Sequence, residues 1–260
     1  MENQNALNMS LEVIYNSIIY PWLFIGIFTF FILFFITAPY GRHNKKMGPM
    51  INGKLGWFIQ EIISPLTFAH VFIRGDSIKT PEMWVFFFLW MAHYFNRSII
   101  FPLRQKNAKD TALMVVFAAI SFNIINGFIN GFYLGSQTLV QNQYSNYFMS
   151  YNFIIGISIF ITGAFINIKS DEILFSLRKN NEGYSIPKTF MYNYISCPNY
   201  FGEIIEWLGF AIMVWSTPAF IFVIWTACNL LPRAVAHHKW YKNKFSDYPK
   251  DRKAIIPFIL

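Results

Sequence analysis

Apolar residues fill long runs of this chain, and polar residues collect in the short stretches between them. A membrane-spanning helix needs about 20 mainly apolar residues. Runs of that kind cover roughly 13–37, 57–73, 83–102, 112–134 and 147–167. A further stretch, 203–231, exceeds one span, and the tetrapeptide WSTP at Trp215–Pro218 divides it into two shorter or tilted helices. The pattern therefore predicts seven spans. The amphipathic segment SDEILFSLRK, Ser170–Lys179, reads as a separate cytoplasmic helix. Ser170 would cap it, with Asp171 and Glu172 in its first turn and Arg178 and Lys179 in its last.

The basic residues orient these spans, because lysine and arginine collect on the cytoplasmic side. All but Arg74 and Lys79 of the 21 fall in alternate connections, at 38–56, 97–110 and 168–202, or in the tail after 231. The connection 135–146 carries no charge. The expected fold is an all-α integral membrane protein of seven transmembrane helices, amino end outside and carboxyl end cytoplasmic. No repeat, low-complexity tract or long linker divides it, so 1–260 is read as one domain.

Composition supports this class. The chain is 55% apolar, 20% aromatic and only 13% charged, against about 25% charged in soluble domains. Its 30 phenylalanines, 8 tryptophans and 14 tyrosines suit aromatic belts. The net charge of +8 is not clustered with interleaved polar residues, so no nucleic-acid partner is expected. Cys197 and Cys228 make neither a disulfide framework nor a C-x-x-C metal motif. No cleavable signal peptide is expected, because the first run follows a neutral-to-acidic start, lacks an A-x-A-like exit and is long enough to span.

Ionisable residues inside spans are costly and are functional candidates by default. Here they are Glu61, His70, His93, Arg97, Glu203 and Glu206. Glu61 stands in WFIQEIISP, where Pro65 would remove the amide that bonds its carbonyl and kink the helix into a pocket. Its plainer alternative is a satisfied interhelical hydrogen bond. His93, Tyr94 and Arg97 lie near one another at helical spacing. Tyr94 is too deep for an interfacial belt, whereas Arg97 reads as a residue that snorkels to the surface. Gly127, Gly131 and Gly135 recur every four residues and read as a packing face. No G-x-G-x-x-G follows a strand, no G-x-x-x-x-G-K-[ST] occurs, and no histidine pair has metal spacing with a third ligand. His237 and His238 are adjacent and point apart. No metal is expected.

Several blocks resemble the steroid 5α-reductases (3-oxo-5α-steroid 4-dehydrogenases), including the type 1 and type 2 enzymes. In the C-terminal third they are INIKSDEILFSLRK (Ile166–Lys179), GYSIPK (Gly183–Lys188), NYFGEIIEWLGF (Asn199–Phe210) and the tail Arg233–Leu260. APYGRH at 38–43, WFIQE at 57–61 and HYFNRS at 93–98 agree in the same order. The resemblance implies a membrane enzyme that uses NADPH to reduce a C=C bond conjugated to a ketone. It places the catalytic pair on Glu61 and Tyr94, with Gln60 beside the nicotinamide. It places cofactor contacts on Trp57, Asn167, Asp171, Arg178, Tyr184, Asn199, Glu203, Arg233, His237 and Tyr241, so that 166–260 supplies most of the cofactor site. Lys169 stands where a histidine is common, Ser185 where an arginine can occur, and RQKNAKD at 104–110 lacks the usual glycine-containing basic pattern.

These residues suit that chemistry. A 3-oxo-Δ4 substrate accepts hydride only if the charge developing on its carbonyl oxygen is stabilised, and each oxyanion-hole donor is typically worth about 3–4 kcal/mol. A tyrosine hydroxyl is one natural donor. A carboxylic acid is another when it is protonated, as an apolar slot favours. Arg178, Arg233, Lys169 and Lys179 suit cofactor phosphates, although topology alone also explains basic residues there. The partners expected are a lipophilic steroid or related enone and membrane lipid, in a bacterial inner membrane or the endoplasmic reticulum, with the chain a monomer. Rival readings are an isoprenylcysteine-type methyltransferase, a seven-helix receptor or pigment, and a transporter. The first has no use for a buried Glu61–Tyr94 pair. The last span lacks a lysine for a retinal Schiff base, and no half-helix repeat marks a transporter.

Overall fold

The computed structural model describes residues 2–39, 41–43, 45–106, 108–180 and 183–260. Its long helices are α1 (Glu2–Phe35), α2 (Gly53–Arg74), α3 (Pro81–Phe95), α4 (Leu113–Gly135), α5 (Tyr151–Asn180), α6 (Pro198–Val214) and α7 (Thr217–Lys244). Five contain stretches long and apolar enough to cross a membrane: Met9–Phe35, Gly53–Arg74, Leu113–Gly135, Tyr151–Lys179 and Thr217–Lys244. α3 and α6, with 15 and 17 residues, fall short of that length as α-helices. α3 runs on without a break through a π-helical segment, Asn96–Ile100, and a closing turn, Phe101–Arg104. The WSTP division holds: Trp215 takes a left-handed conformation (φ 50°) and separates α6 from α7.

One sequence expectation is corrected. Ser170–Lys179 is no separate helix, because α5 continues through it to Asn180. Ser170 lies mid-helix and caps nothing. Its hydroxyl donates to the Ile166 carbonyl at 2.6 Å, which satisfies it inside the helix. True caps stand elsewhere. Asn52 accepts from the amides of Lys54 and Leu55 at the start of α2, and Thr80 from Met83 ahead of Pro81 in α3.

Two close helix pairs set the geometry. The α4 glycines expected to be a packing face do pack, each against α2. A Cβ on Gly127, Gly131 or Gly135 would run into the backbone carbonyl of Ser64, Phe68 or Val71 respectively. The second pair, α5 with α6, uses glycines seven residues apart on both helices. Gly156 and Gly163 lie against the backbone of Met213 and Glu206, and Gly202 and Gly209 against that of Asn167 and Phe160. Without side chains between them, the helices gain backbone-to-backbone dispersion contact.

Around these pairs the core is aromatic, with Phe68, Phe72, Phe86, Trp90, Trp207 and Phe210 almost wholly buried. α1 joins through Trp22, whose ring lies 4.6 Å from that of Trp225 and whose carbonyl accepts the Trp225 indole N–H at 2.8 Å. Phe24, Phe28, Phe31 and Phe35 on α1 are exposed and suited to lipid. At one end of the bundle a two-residue ladder, Met50–Ile51 antiparallel to Thr111–Ala112, draws the loops before α2 and α4 together. The C-terminal tail braces the start of α6: the Ser196 amide donates to the Lys253 carbonyl and the Cys197 amide to that of Ala254.

Gly163→Val should force α5 and α6 apart and cost about 1–3 kcal/mol, as overpacking typically does. It should read as a lowered thermal midpoint in detergent. Gly183→Ala, where nothing lies within 4 Å of the added carbon, should leave the midpoint unchanged.

Candidate functional site

Helical periodicity brings polar residues together at the braced end of the bundle. Arg233, His237 and Tyr241 follow at i, i+4 and i+8 on α7, and Asn167 and Asp171 are one turn apart on α5. With residues of α2, α3, α6 and the flanking loops they surround a cavity of about 350 Å³. Eight of the ten expected cofactor contacts line it: Trp57, Asp171, Arg178, Tyr184, Asn199, Arg233, His237 and Tyr241. Asn167 and Glu203 stand behind the wall. The Asn167 amide donates to the Asn199 carbonyl at 2.9 Å and reaches Glu203 Oε2 at 3.5 Å, and the Asn199 amide donates to Asp171 Oδ1 at 3.0 Å.

Arg97 corrects the expectation of snorkelling. Its side chain is only 13% exposed and lies between Asp171, at 3.7 Å, and Glu203, at 3.8 Å. These spacings are ion pairs without direct hydrogen bonds. The guanidinium also stands over the rings of Trp57 and Phe101, at 5.0 and 4.7 Å, and the Trp57 indole donates to the Arg97 carbonyl at 2.9 Å. The bundle supplies both counter-charge and aromatic faces, so the side chain has no need to reach water.

The expected catalytic residues lie deeper, beyond Trp57 and Arg97, and do not line the cavity. Gln60 is buried. Its side-chain amide donates to Glu61 Oε1 at 3.1 Å, while its backbone carbonyl accepts from Asn123 at 2.6 Å. Tyr94 is also buried, packed on Trp90 at 5.4 Å, with its hydroxyl turned toward Ser64 and Asn126. Glu61 lies within electrostatic reach of Tyr94 and of Arg97. His70 is exposed and joins none of this.

Several connections between side chains escaped the sequence reading. His93 Nδ1 meets Glu206 Oε1 at 2.8 Å in a fully buried pair, and the His93 ring packs on Trp207 at 4.5 Å. Tyr200 links two expected residues, accepting from Arg233 at 3.1 Å and bonding His237 Nε2 at 3.0 Å. His237 Nδ1 bonds His43 Nε2 at 3.0 Å, with the rings stacked at 5.0 Å. Burial, with Arg42 and Arg233 nearby, holds His43 below the usual histidine range. Arg42 stands over three rings, those of Tyr184, Trp240 and Tyr241, at 5.4, 5.0 and 4.7 Å. The one available signal was APYGRH itself, a basic pair beside a positive-φ glycine, Gly41. Cys197 also lines the cavity, but burial pushes its thiol up to about 12, so it is no thiolate nucleophile.

A polyanionic group fits these residues. Arg42 lines the cavity, and its buried Nη1 has no partner among the described residues. Lys106, Lys109, Arg178 and Arg233 stand at the same wall. His, Cys, Asp and Glu form no metal-binding group among the described residues.

A cation-walled cavity backed by a half-buried carboxyl and a buried phenol, in a helical bundle built for a membrane, defines a membrane-embedded enzyme class. Residues 109–260 match the family described as 3-oxo-5-alpha-steroid 4-dehydrogenase. The chain is 40% identical over 242 residues to steroid 5-alpha-reductase DET2 of Gossypium hirsutum, covering 89% of this chain and 92% of that one. It is 36% identical over 229 residues to 3-oxo-5-alpha-steroid 4-dehydrogenase 1 of Rattus norvegicus, covering 86% and 87%. It is 36% identical over 236 residues to 3-oxo-5-alpha-steroid 4-dehydrogenase 2 of Macaca fascicularis, covering 88% and 91%. The chain belongs to the steroid 5-alpha-reductase family, oxidoreductases acting on CH–CH bonds.

Arg97→Ala should destabilise the protein by up to about 3–5 kcal/mol, because it strands buried Asp171 and half-buried Glu203. Arg97→Lys should recover only part of this, since an ammonium lacks the planar face that Trp57 and Phe101 cover. Thermal midpoints of the three proteins check both statements.

Proposed function

We propose that this protein reduces the Δ4 double bond of 3-oxo-Δ4 steroids to give 5α-dihydro-steroids, with NADPH as hydride donor. The observation that carries the reading is the adjacency of two different environments. A cation-walled cavity suited to a dinucleotide stands directly beyond Trp57 and Arg97 from half-buried Glu61 and buried Tyr94. NADPH, when bound, supplies the hydride that reaches C5.

The chain's residues do the rest. Arg42, Arg178 and Arg233 hold phosphates, Arg178 and Arg42 being further steadied on the Tyr184 ring. Asp171 and Asn199, locked to each other, offer hydrogen bonds to ribose or amide groups, and Asn167 and Glu203 hold that pair in place. Trp57 lines the cavity one helical turn before Glu61, and Gln60 is bonded to Glu61 itself. Tyr94 and Glu61, as a carboxylic acid, donate to the 3-keto oxygen as negative charge develops there. Gln60 already donates to Glu61 Oε1, which leaves Oε2 to carry the acid proton and present it. Tight aromatic walls around Tyr94 exclude water. A proton then reaches C4 to complete the reduction.

The full topology is part of the same reading: seven spans, with α3 extended by its π segment and α6 tilted, amino end outside and carboxyl end cytoplasmic. The basic connections support it, because they would put the cavity on the side where reduced nicotinamide is available. A monomer is part of the same reading.

Tyr94→Phe and Glu61→Leu should each lower kcat by about 10²–10³, the usual cost of one oxyanion donor, while Kd for NADPH stays unchanged. Reduction of a 3-oxo-Δ4 steroid by purified protein in liposomes measures this, and a wild-type rate in either variant sinks the catalytic assignment. Arg178→Ala should raise KM for NADPH far more than KM for steroid. Equal effects on both would make Arg178 a structural residue.

A further inference from the structure

Two cavities lie back to back at the braced end of the bundle, joined where His43, in the wall of one, meets His237, in the wall of the other. Beside the cofactor cavity, a second space of about 280 Å³ opens between the end of α1 and the later turns of α7. Its two parts differ in chemistry. Leu33, Phe34 and Val235 provide a hydrocarbon floor, and Asn243 and His43 a polar margin to which Lys239 adds a positive charge. No acidic residue lines it among the described residues, and Lys242 and Lys244 follow Lys239 along α7.

We propose that this groove binds an anionic phospholipid, with its phosphate at Lys239 and Asn243 and an acyl chain along Leu33, Phe34 and Val235. The argument rests on charge complementarity and on place. The groove is cationic at one end and apolar at the other, the division an anionic amphiphile carries. It lies where α1 ends at Phe35, just past the exposed Phe28 and Phe31 that suit lipid contact. Basic pockets between transmembrane helices at one membrane face are recurrent sites for anionic headgroups. A free anion would use the lysine but leave the hydrocarbon floor wet, forfeiting the apolar burial that the second half of the groove offers.

Occupancy has a route to the cofactor cavity. His43 lines the groove and is both bonded to and stacked on His237, a wall residue of the cavity. Arg42, the next residue, is held among Tyr184, Trp240 and Tyr241. A lipid against His43 therefore steadies the turn that carries Arg42. The lipid site does not rest on the reductase reading, because its test counts bound lipid and not turnover.

The experiment is native mass spectrometry of the purified full chain, titrated with phosphatidylglycerol or phosphatidylcholine of identical acyl chains, with and without excess inorganic phosphate. Phosphatidylglycerol should occupy one site about fivefold or more tightly than phosphatidylcholine, the weight of one lysine at an anionic surface. Inorganic phosphate should not displace it. Lys239→Glu should erase that preference, and Ala236→Phe, which fills the groove without altering charge, should weaken retention of phosphatidylglycerol to a similar extent. Thermal midpoints establish that each variant is folded, and Ala236→Phe decides alone if Lys239→Glu is not. Equal retention of the two lipids, displacement by phosphate, or wild-type lipid binding by folded Ala236→Phe would each overturn the proposal.

Discussion

A guanidinium buried in a helical bundle has to be surrounded by compensating groups, and Arg97 imposes that requirement on most of the site. Its counter-charges come from α5 and α6, its aromatic faces from Trp57 of α2 and from Phe101 just past α3, and its electrostatic reach extends to Glu61. Four chain segments are thus held in one relative arrangement by a single side chain. The same group divides the interior, with the cation-walled cavity on one side and the carboxyl–phenol pair on the other. A neutral residue there would remove both the tie and the partition.

The arrangement is only as good as the register of α5 against α6, because these two helices carry Asn167, Asp171, Asn199 and Glu203. Glycine contacts repeating every seven residues on both partners fix that register. Each meets a particular stretch of opposing backbone, so sliding by one residue would drive side chains into main chain at four places. The aromatic core around Trp207 adds burial. Large flat side chains can repack, whereas backbone against backbone leaves no alternative fit.

The sequence made the long spans legible because lipid imposes one simple demand, an unbroken apolar run. The one-face stripe Arg233–His237–Tyr241 entered only through the family resemblance, although helix period is what places those residues together. The sequence failed where several segments decide the environment of one residue. Ser170–Lys179 has the charge pattern of a free helix with its own cap, yet α5 runs through it, with the Ser170 hydroxyl taken up by the Ile166 carbonyl inside the helix. Arg97 looks like a surface residue from its own helix, and its burial depends on acids that lie more than 70 residues away. His93 and Glu206 were each visible as costly, but nothing in a linear pattern pairs residues 113 apart. The cage around Arg42 is drawn from the 183–188 loop and α7, and so has no local signature.

The π-helical segment Asn96–Ile100 lies between Tyr94 and the closing turn that carries Phe101. A π turn accommodates one residue more than an α-helix would, at a cost in hydrogen-bond regularity. Deleting a residue there would restore ordinary winding, and each residue of an α-helix turns the chain by roughly 100°. Phe101 would then swing away from the guanidinium it covers, while Tyr94 kept its place. The irregular turn thus works as a phase corrector: it lets one continuous helix turn Tyr94 into the aromatic core and Phe101 to the cation-walled cavity, two surroundings that lie in different directions.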